Sequence, residues 1–167
     1  NLAQAIQAFA GFLRHRPDWP GDLRIVGRPG RTTPLLRRLL LELGLTQRVQ
    51  LIPALAELEL RRQIRSAFAL LSPSLMEGFD YPVLEAKAEG IPTLISDIPV
   101  HRECHEGSSL FFARGDAPQT LTQEMLRLAD ESALWQQLSS QGRACAAGFS
   151  IERQVAAIRA EMDALVG

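Results

Sequence analysis

Two hydrophobic periodicities alternate along the chain, and this alternation constrains the fold more than any other feature. Apolar residues recur at helical spacing between Ile6 and Leu13, and Pro17 and Pro20 end that helix before the short apolar run Leu23–Val26. The same succession of helix and strand continues over about the first two thirds of the chain, and only helical patterns follow it. Such alternation is typical of βαβ crossovers and therefore predicts a mostly parallel sheet.

The predicted elements define a fold class. The predicted strands are Leu23–Val26, Val49–Ile52, Phe68–Leu71, Thr93–Ile95 and Leu110–Phe112. After the first helix, the predicted helices are Thr33–Leu43, Glu57–Ala67, Pro82–Glu89, Pro118–Ala129, Ser132–Ala147 and Ser150–Val166. We therefore expect a Rossmann-like α/β domain, with a mostly parallel sheet and helices on both faces. Because this alternation begins with a strand, we also expect a strand and its loop upstream of Asn1.

Composition excludes several classes of protein. A chain of 167 residues with 46% hydrophobic and 22% charged side chains has the composition of one globular domain, not of a disordered or coiled-coil protein. The net charge of -1 provides no overall positive field, so no nucleic-acid partner is expected. No apolar run reaches the ~20 residues of a bilayer span, and no secretory signal is visible, so a cytoplasmic location is expected.

Cysteine and histidine spacing predicts neither a disulfide framework nor a metal site. Cys104 and Cys145 are far apart and fit no zinc-binding spacing, so we expect free thiols in a reducing compartment. His15, His101 and His105 form no recognisable ligand set. No metal cofactor is therefore expected.

The segment between the third predicted strand and the following helix carries the strongest chemical signal. Gly78 allows close backbone approach, Pro82 suits a first helical turn, and the N–H groups around Phe79–Leu84 then face outward at the positive end of a helix dipole. This arrangement suits a phosphate. The nearby carboxylates of Glu77, Asp80 and Glu85 accept hydrogen bonds from sugar hydroxyls, so the segment predicts a nucleotide-sugar ligand.

The string P-S-L-M-E-G-F-D-Y-P-V-L-E-A, in which Glu77 and Glu85 are separated by seven residues, resembles a known signature. It is similar to that of the retaining, nucleotide-sugar-dependent glycosyltransferases of family 4, which have the two-domain GT-B fold. Gly90–Thr93, Ser96–Glu103 and Leu23–Gly27 resemble further motifs of this family, so the resemblance covers almost the whole chain.

The resemblance implies that residues 1–167 form the C-terminal, donor-binding domain. It implies that Glu77 contacts hydroxyls of the transferred sugar, that Glu85 contacts the ribose, and that Gly27 lets its loop approach the diphosphate. The catalytic residues it implies are Glu77 and Glu85, and the donor-binding residues are Gly27, Gly78, Phe79, Asp80, Tyr81, Leu84 and Glu85. The acceptor, a glycan or a lipid-linked saccharide, would bind through an N-terminal domain outside this chain.

The sequence departs from the family pattern in ways that bear on function. Asp80 and Tyr81 stand where Gly-Leu is commoner, which puts a charge beside the donor sugar, and Pro53 stands where glycine is frequent, which leaves base recognition open. The Asp-Tyr pair looks similar to bacterial polysaccharide mannosyltransferases, which favours GDP-mannose over a UDP-hexose. The Arg and Lys that neutralise the leaving diphosphate in the family, commonly without a metal ion, precede the position of Asn1. We therefore expect this chain alone to be inactive. The lipid-linked acceptor expected for the family also suggests peripheral association of the full protein with the membrane.

Each of these residues also has a simpler interpretation. The sole role of Glu85 could be to stabilise a helix N-terminus, and Gly27–Gly30 is compatible with an ordinary turn. Phe79 and Tyr81 suit ligand stacking or internal packing equally. Lys87 is expected to face solvent. The expected core residues include Phe9, Phe12, Leu13, Trp135 and Leu138. Two other functions compete: a non-catalytic nucleotide- or protein-binding module, and a dinucleotide-dependent oxidoreductase, for which the G-x-G-x-x-G spacing is lacking.

Overall fold

The computed structural model describes residues 1–115 and 117–166, and its elements follow the predicted alternation. The strands are β1 (Leu23–Val26), β2 (Val49–Ile52), β3 (Leu70–Ser72), β4 (Thr93–Ser96) and β5 (Leu110–Phe112). The helices are α1 (Leu2–His15), α2 (Thr33–Glu42), α3 (Glu57–Arg65), α4 (Tyr81–Ala88), α5 (Pro99–His105), α6 (Pro118–Asp130), α7 (Ser132–Ala147) and α8 (Ile151–Val166). The sequence prediction missed α5 as an element and began β3 two residues early.

All strand pairs among the described residues are parallel, as predicted. They form two ladders, β1–β2 and β3–β4–β5, which are not hydrogen-bonded to each other. All four residues of β4 are buried, so helices cover both faces of this central strand. The strand expected ahead of the first helix stays a prediction.

Two apolar clusters hold the helices against the ladders. One is built on β4 and β5 and includes Leu94, Phe112 and Leu138. The other joins α1, α2 and β2 and includes Phe9 and Phe12. Leu13 and Trp135 are only half buried, but each packs against one of these clusters, so the predicted core residues are confirmed.

The β3–β4–β5 ladder positions the candidate site. Ser72, the last residue of β3, pairs with Ile95, and Ser96 ends β4 one residue further on. Because carboxyl ends of parallel strands lie at one edge of a sheet, the segments that follow β3 and β4 start side by side. The β3–α4 loop, residues 73–80, leaves this edge and leads directly into α4.

Candidate functional site

The two glutamates of the signature both remain available to a ligand. Glu77 lies in the β3–α4 loop, is exposed, and accepts a hydrogen bond of 2.6 Å from Ser74 Oγ, which orients its carboxylate. Glu85 is exposed on α4, and its carboxylate forms no hydrogen bond or ion pair with the described residues. It lies in the second turn of α4, where a helix-dipole interaction has already weakened. Stabilisation of the helix N-terminus therefore does not account for Glu85.

Backbone N–H groups between these glutamates are free. Within residues 1–115 and 117–166, no protein acceptor bonds the N–H groups of Gly78, Phe79 or Tyr81. The predicted cradle is shorter than the sequence suggested, because the N–H of Val83 donates to Asp80 O at 3.1 Å and Pro82 has none. Free N–H groups at the start of a helix are suited to an anionic oxygen.

Two glycines of the predicted site are not required by the fold. An added Cβ at Gly27 or Gly78 would meet no atom within 4 Å, and neither residue has a φ in the left-handed region. Packing and backbone conformation therefore both permit a side chain here, and the space beside each glycine is open to a ligand. Gly27 follows β1 in the other ladder, and its N–H donates to Ile52 O at 3.0 Å. No hydrogen bond or ion pair joins it to the β3–α4 loop in the described part of the chain.

Asp80 requires a correction. Its side chain was expected to place a charge beside the donor sugar, but the residue is only 7% exposed and its carboxylate points inward. Oδ2 accepts hydrogen bonds from Ser72 Oγ and from His101 Nε2, the latter at 3.0 Å. The backbone of Asp80 has φ 67° and ψ 67°, the one left-handed conformation of a non-glycine residue among those described. This conformation costs about 1–2 kcal/mol, which the buried hydrogen bonds offset.

His101, which the sequence pattern assigned to no site, contacts Asp80 in the structure. It lies on α5, is fully buried, and directs Nδ1 at Ser96 O, 2.8 Å away. Burial lowers the pKa of His101, but hydrogen bonds to Asp80 and Ser96 outweigh burial and leave that pKa above its ordinary value. Burial likewise raises the pKa of Asp80, and the hydrogen bonds from His101 and Ser72 more than reverse this effect. The one available signal was an aspartate at a position where glycine is commoner.

The remaining predicted residues have different surroundings. Phe79 is half buried and packs edge-on against Phe149, with ring centroids 5.3 Å apart. Tyr81 is 67% exposed at the start of α4 and is available for ligand contact. Leu84 is half buried.

Lys87 also differs from its prediction, because it is fully buried rather than directed at solvent. Nζ donates to Ser108 Oγ at 2.6 Å and lies 3.8 Å from Cys145 Sγ. Burial lowers the pKa of Lys87 to about 8. Burial and the charges of Lys87 and His101 lower the pKa of His105 to about 4.

Four further observations limit the chemistry that the described residues support. Among residues 1–115 and 117–166, no group of three or more His, Cys, Asp or Glu side chains is arranged to hold a metal ion. Cys104 and Cys145 are free thiols. Within the same ranges, no helix combines the length and the apolar character needed to cross a membrane. A surface groove of about 430 Å³ is lined by His15–Pro20, away from the β3–α4 loop in sequence and without either signature glutamate.

Comparison with known proteins assigns this chain to a family. Residues 1–131 match the family model described as Glycosyl transferases group 1. A relative is the O-antigen chain mannosyltransferase RfbU of Salmonella typhimurium, 30% identical over 102 residues, which are 60% of this chain and 29% of that protein.

Solved structures agree on the fold. The sucrose-phosphate synthase of Thermosynechococcus elongatus has a TM-score of 0.81 and 22% identity over 98% of this chain and 42% of its own. The pneumococcal O-GlcNAc transferase GtfA, solved with UDP and GlcNAc, has a TM-score of 0.83 and 15% identity over 99% of this chain and 33% of its own. The chain thus spans less than half the length of each of these proteins. With its family model and its fold in agreement, this chain belongs to the Glycosyl transferases group 1 family and has the fold of a GT-B glycosyltransferase domain.

Proposed function

We propose that the chain is the donor-binding domain of a retaining glycosyltransferase that transfers a hexosyl group from a nucleoside-diphosphate sugar. One observation carries the proposal: two exposed carboxylates, Glu77 and Glu85, flank a run of free backbone N–H groups at the carboxyl edge of a parallel ladder. Carboxylates accept hydrogen bonds from vicinal hydroxyls, and the N–H groups suit a diphosphate.

Each group has a distinct part in the proposed reaction. Glu77, oriented by Ser74, accepts hydrogen bonds from hydroxyls of the transferred sugar. Glu85, in the second turn of α4, accepts hydrogen bonds from the ribose hydroxyls. The N–H groups of Gly78, Phe79 and Tyr81 stabilise the charge that develops on the leaving diphosphate, which is where transition-state stabilisation matters most. Gly27 leaves room for its loop to approach the same diphosphate.

The donor we propose is GDP-mannose, with a UDP-hexose as the alternative. The name of RfbU as a mannosyltransferase supports mannose, whereas the UDP in the GtfA structure supports the alternative. The acceptor we propose is a glycan or a lipid-linked saccharide, bound through a further, N-terminal domain. We place the full-length enzyme in the cytoplasm, peripherally associated with the membrane. We propose that it acts without a metal ion and that residues 1–167 alone are inactive.

A transfer assay tests the proposal on the full-length protein. Wild type is compared with Glu77→Gln, Glu85→Gln and, as a matched exposed carboxylate on α8, Glu161→Gln. Loss of a charged hydrogen-bond acceptor lowers kcat/KM by about 10- to 100-fold for the first two variants. Glu161→Gln leaves it unchanged.

The same assay distinguishes the proposed enzyme function from the main alternative, in which the chain is a non-catalytic nucleotide- or protein-binding module. Unchanged glycosyl transfer by the Glu77 variant would remove the central residue of the proposal. A thermal-shift series with GDP, UDP and ADP sugars then identifies the donor, because a ligand that binds only the native state raises the apparent stability.

A further inference from the structure

A buried polar network connects the β3–α4 loop to the two neighbouring strand ends. Ser72 Oγ and His101 Nε2 both donate to Asp80 Oδ2. Ser96 Oγ donates to Ser74 O at 2.5 Å, which fixes the other end of the loop. Ser72, Asp80, Ser96 and His101 are each at least nine-tenths buried, so solvent does not weaken these contacts.

The geometry of His101 requires both ring nitrogens to be donors. Nδ1 faces the carbonyl oxygen of Ser96 at 2.8 Å, and Nε2 faces the carboxylate of Asp80 at 3.0 Å. A neutral imidazole has only one N–H, so it satisfies one of these acceptors and leaves the other against a lone pair. The arrangement is therefore that of a buried imidazolium paired with a carboxylate.

The conformation of the loop depends on this pair. Asp80 is held in a left-handed conformation that an L residue rarely adopts, and its carboxylate hydrogen bonds are what retain it there. The free N–H groups of Gly78, Phe79 and Tyr81 and the carboxylate of Glu77 lie on the segment that this conformation orients. His101 touches none of these groups directly, so it acts on them through Asp80.

We propose that His101 is a positioning residue, whose protonated ring holds the backbone of Asp80 and thereby fixes the β3–α4 loop in the form that binds the nucleotide-sugar donor. This proposal rests on the proposed function. It makes donor affinity dependent on pH: the loop is fully held below the ordinary pKa of histidine, 6.5, and is released as the pH rises through the higher pKa of His101.

The charged groups around His101 set this dependence. Asp80 and, at longer range, Glu77 face it from the β3–α4 loop and favour its protonated form. His105, on the same helix with ring centroids 6.1 Å apart, stays neutral, since its pKa is about 4. Lys87, on α4, acts on His105, whose pKa its charge lowers. Asp80 loses its charge only in acid, so the pair is intact over the mildly acidic range.

The experiment combines a double-mutant cycle with a measurement that needs no donor. Donor affinity is measured by calorimetry on the full-length protein, between pH 5.5 and 8.5, for wild type, His101→Gln, Asp80→Gly and the double variant. Glycine adopts the left-handed conformation without strain, so Asp80→Gly removes the need for the network. We expect His101→Gln to weaken donor binding about tenfold at pH 6 in the wild-type background, and less than about twofold in the Asp80→Gly background.

Nuclear magnetic resonance of the unliganded protein tests the role of His101 without relying on donor binding. We expect His101 to titrate above 6.5, and the backbone amides of residues 78–81 to become more mobile on the nanosecond timescale in His101→Gln but not in the exposed control His15→Gln. An ordinary pKa for His101, an equal loss of affinity in both backgrounds, or an unchanged loop would each overturn the proposal. If no nucleotide sugar binds at any pH, the proposed function fails, and the titration and the loop mobility still decide the role of His101.

Discussion

The buried amine of Lys87 gives a quantitative prediction for stability. It is the one lysine in the sequence, it is fully buried, and no carboxylate is bonded to it in the described part of the chain. Burial lowers its pKa from 10.5 to about 8. At about 1.4 kcal/mol per pH unit, this difference amounts to about 3 kcal/mol of unfavourable burial of the charged form.

The direction in which stability changes with pH follows from the uptake of a proton by Lys87 on unfolding. Between pH 8 and 10.5 the unfolded chain keeps the proton on Lys87 and the folded chain has released it. The free energy of unfolding therefore rises with pH over this interval, by up to about 3 kcal/mol.

Replacement of Lys87 by methionine removes this dependence. Ser108 Oγ keeps its bond to His105 O at 3.0 Å, so the variant leaves no orphaned hydroxyl donor. With a loss of about 1 kcal/mol for the missing hydrogen bond, we expect Lys87→Met to be about 2 kcal/mol more stable than wild type at pH 7. The advantage disappears by about pH 10.

Urea denaturation followed by tryptophan fluorescence, from pH 6 to 10.5, measures these differences. Cys145 Sγ lies 3.8 Å from Lys87 Nζ, so Cys145→Ala serves as the control, and it should keep the rise in stability that Lys87→Met loses. A Lys87→Met variant that is less stable than wild type at pH 7, with a difference that does not change with pH, would show that burial of the charged amine does not destabilise the fold.

Three substitutions test other parts of the structure. Gly27→Ala should change the free energy of unfolding by less than about 0.5 kcal/mol, because an added Cβ meets no protein atom within 4 Å. It should still weaken donor binding measured by calorimetry, because the methyl group would occupy the space that we propose for the diphosphate; a normal affinity would contradict this. Gly90→Ala is the contrasting glycine variant, expected to lose at least about 1 kcal/mol in urea denaturation because Gly90 has φ +75° and an added Cβ would displace the Arg143 guanidinium; an unchanged midpoint would argue against both effects. Leu94→Ala should lose about 2–5 kcal/mol in the same assay, since Leu94 is fully buried on β4, and a loss below 1 kcal/mol would mean that the core collapses around it.

Local pattern predicted most of the fold. The alternation of helical and strand hydrophobic periodicity predicted each strand and all helices except α5. This is because the spacing of apolar residues and the positions of prolines determine local structure within a few residues. The start of β3 was misplaced because Phe68 is apolar yet lies outside the strand, in an edge-to-face contact with Trp19 at 5.1 Å. Helix α5 was missed because its seven residues are too few for a helical period to be visible.

Contacts between distant residues account for what the sequence did not reveal. Lys87 is buried because α7 packs closely on α4, where Gly142 leaves its backbone beside the lysine: a Cβ there would lie 3.3 Å from Lys87 Cγ. The bond between Asp80 and His101 joins residues 21 apart in sequence. In contrast, the availability of Glu77 and Glu85 could be anticipated, because both belong to one strand-loop-helix segment.

Amide-resolved nuclear magnetic resonance with increasing GDP-mannose or UDP-hexose shows which residues of the full-length protein respond to the donor. We expect the largest shifts on donor addition at the amides of Gly78, Phe79, Tyr81 and Glu85, and we expect Glu77→Gln together with Glu85→Gln to abolish them. Shifts concentrated at the groove of residues 15–20, or a response that survives the loss of both carboxylates, would contradict this expectation.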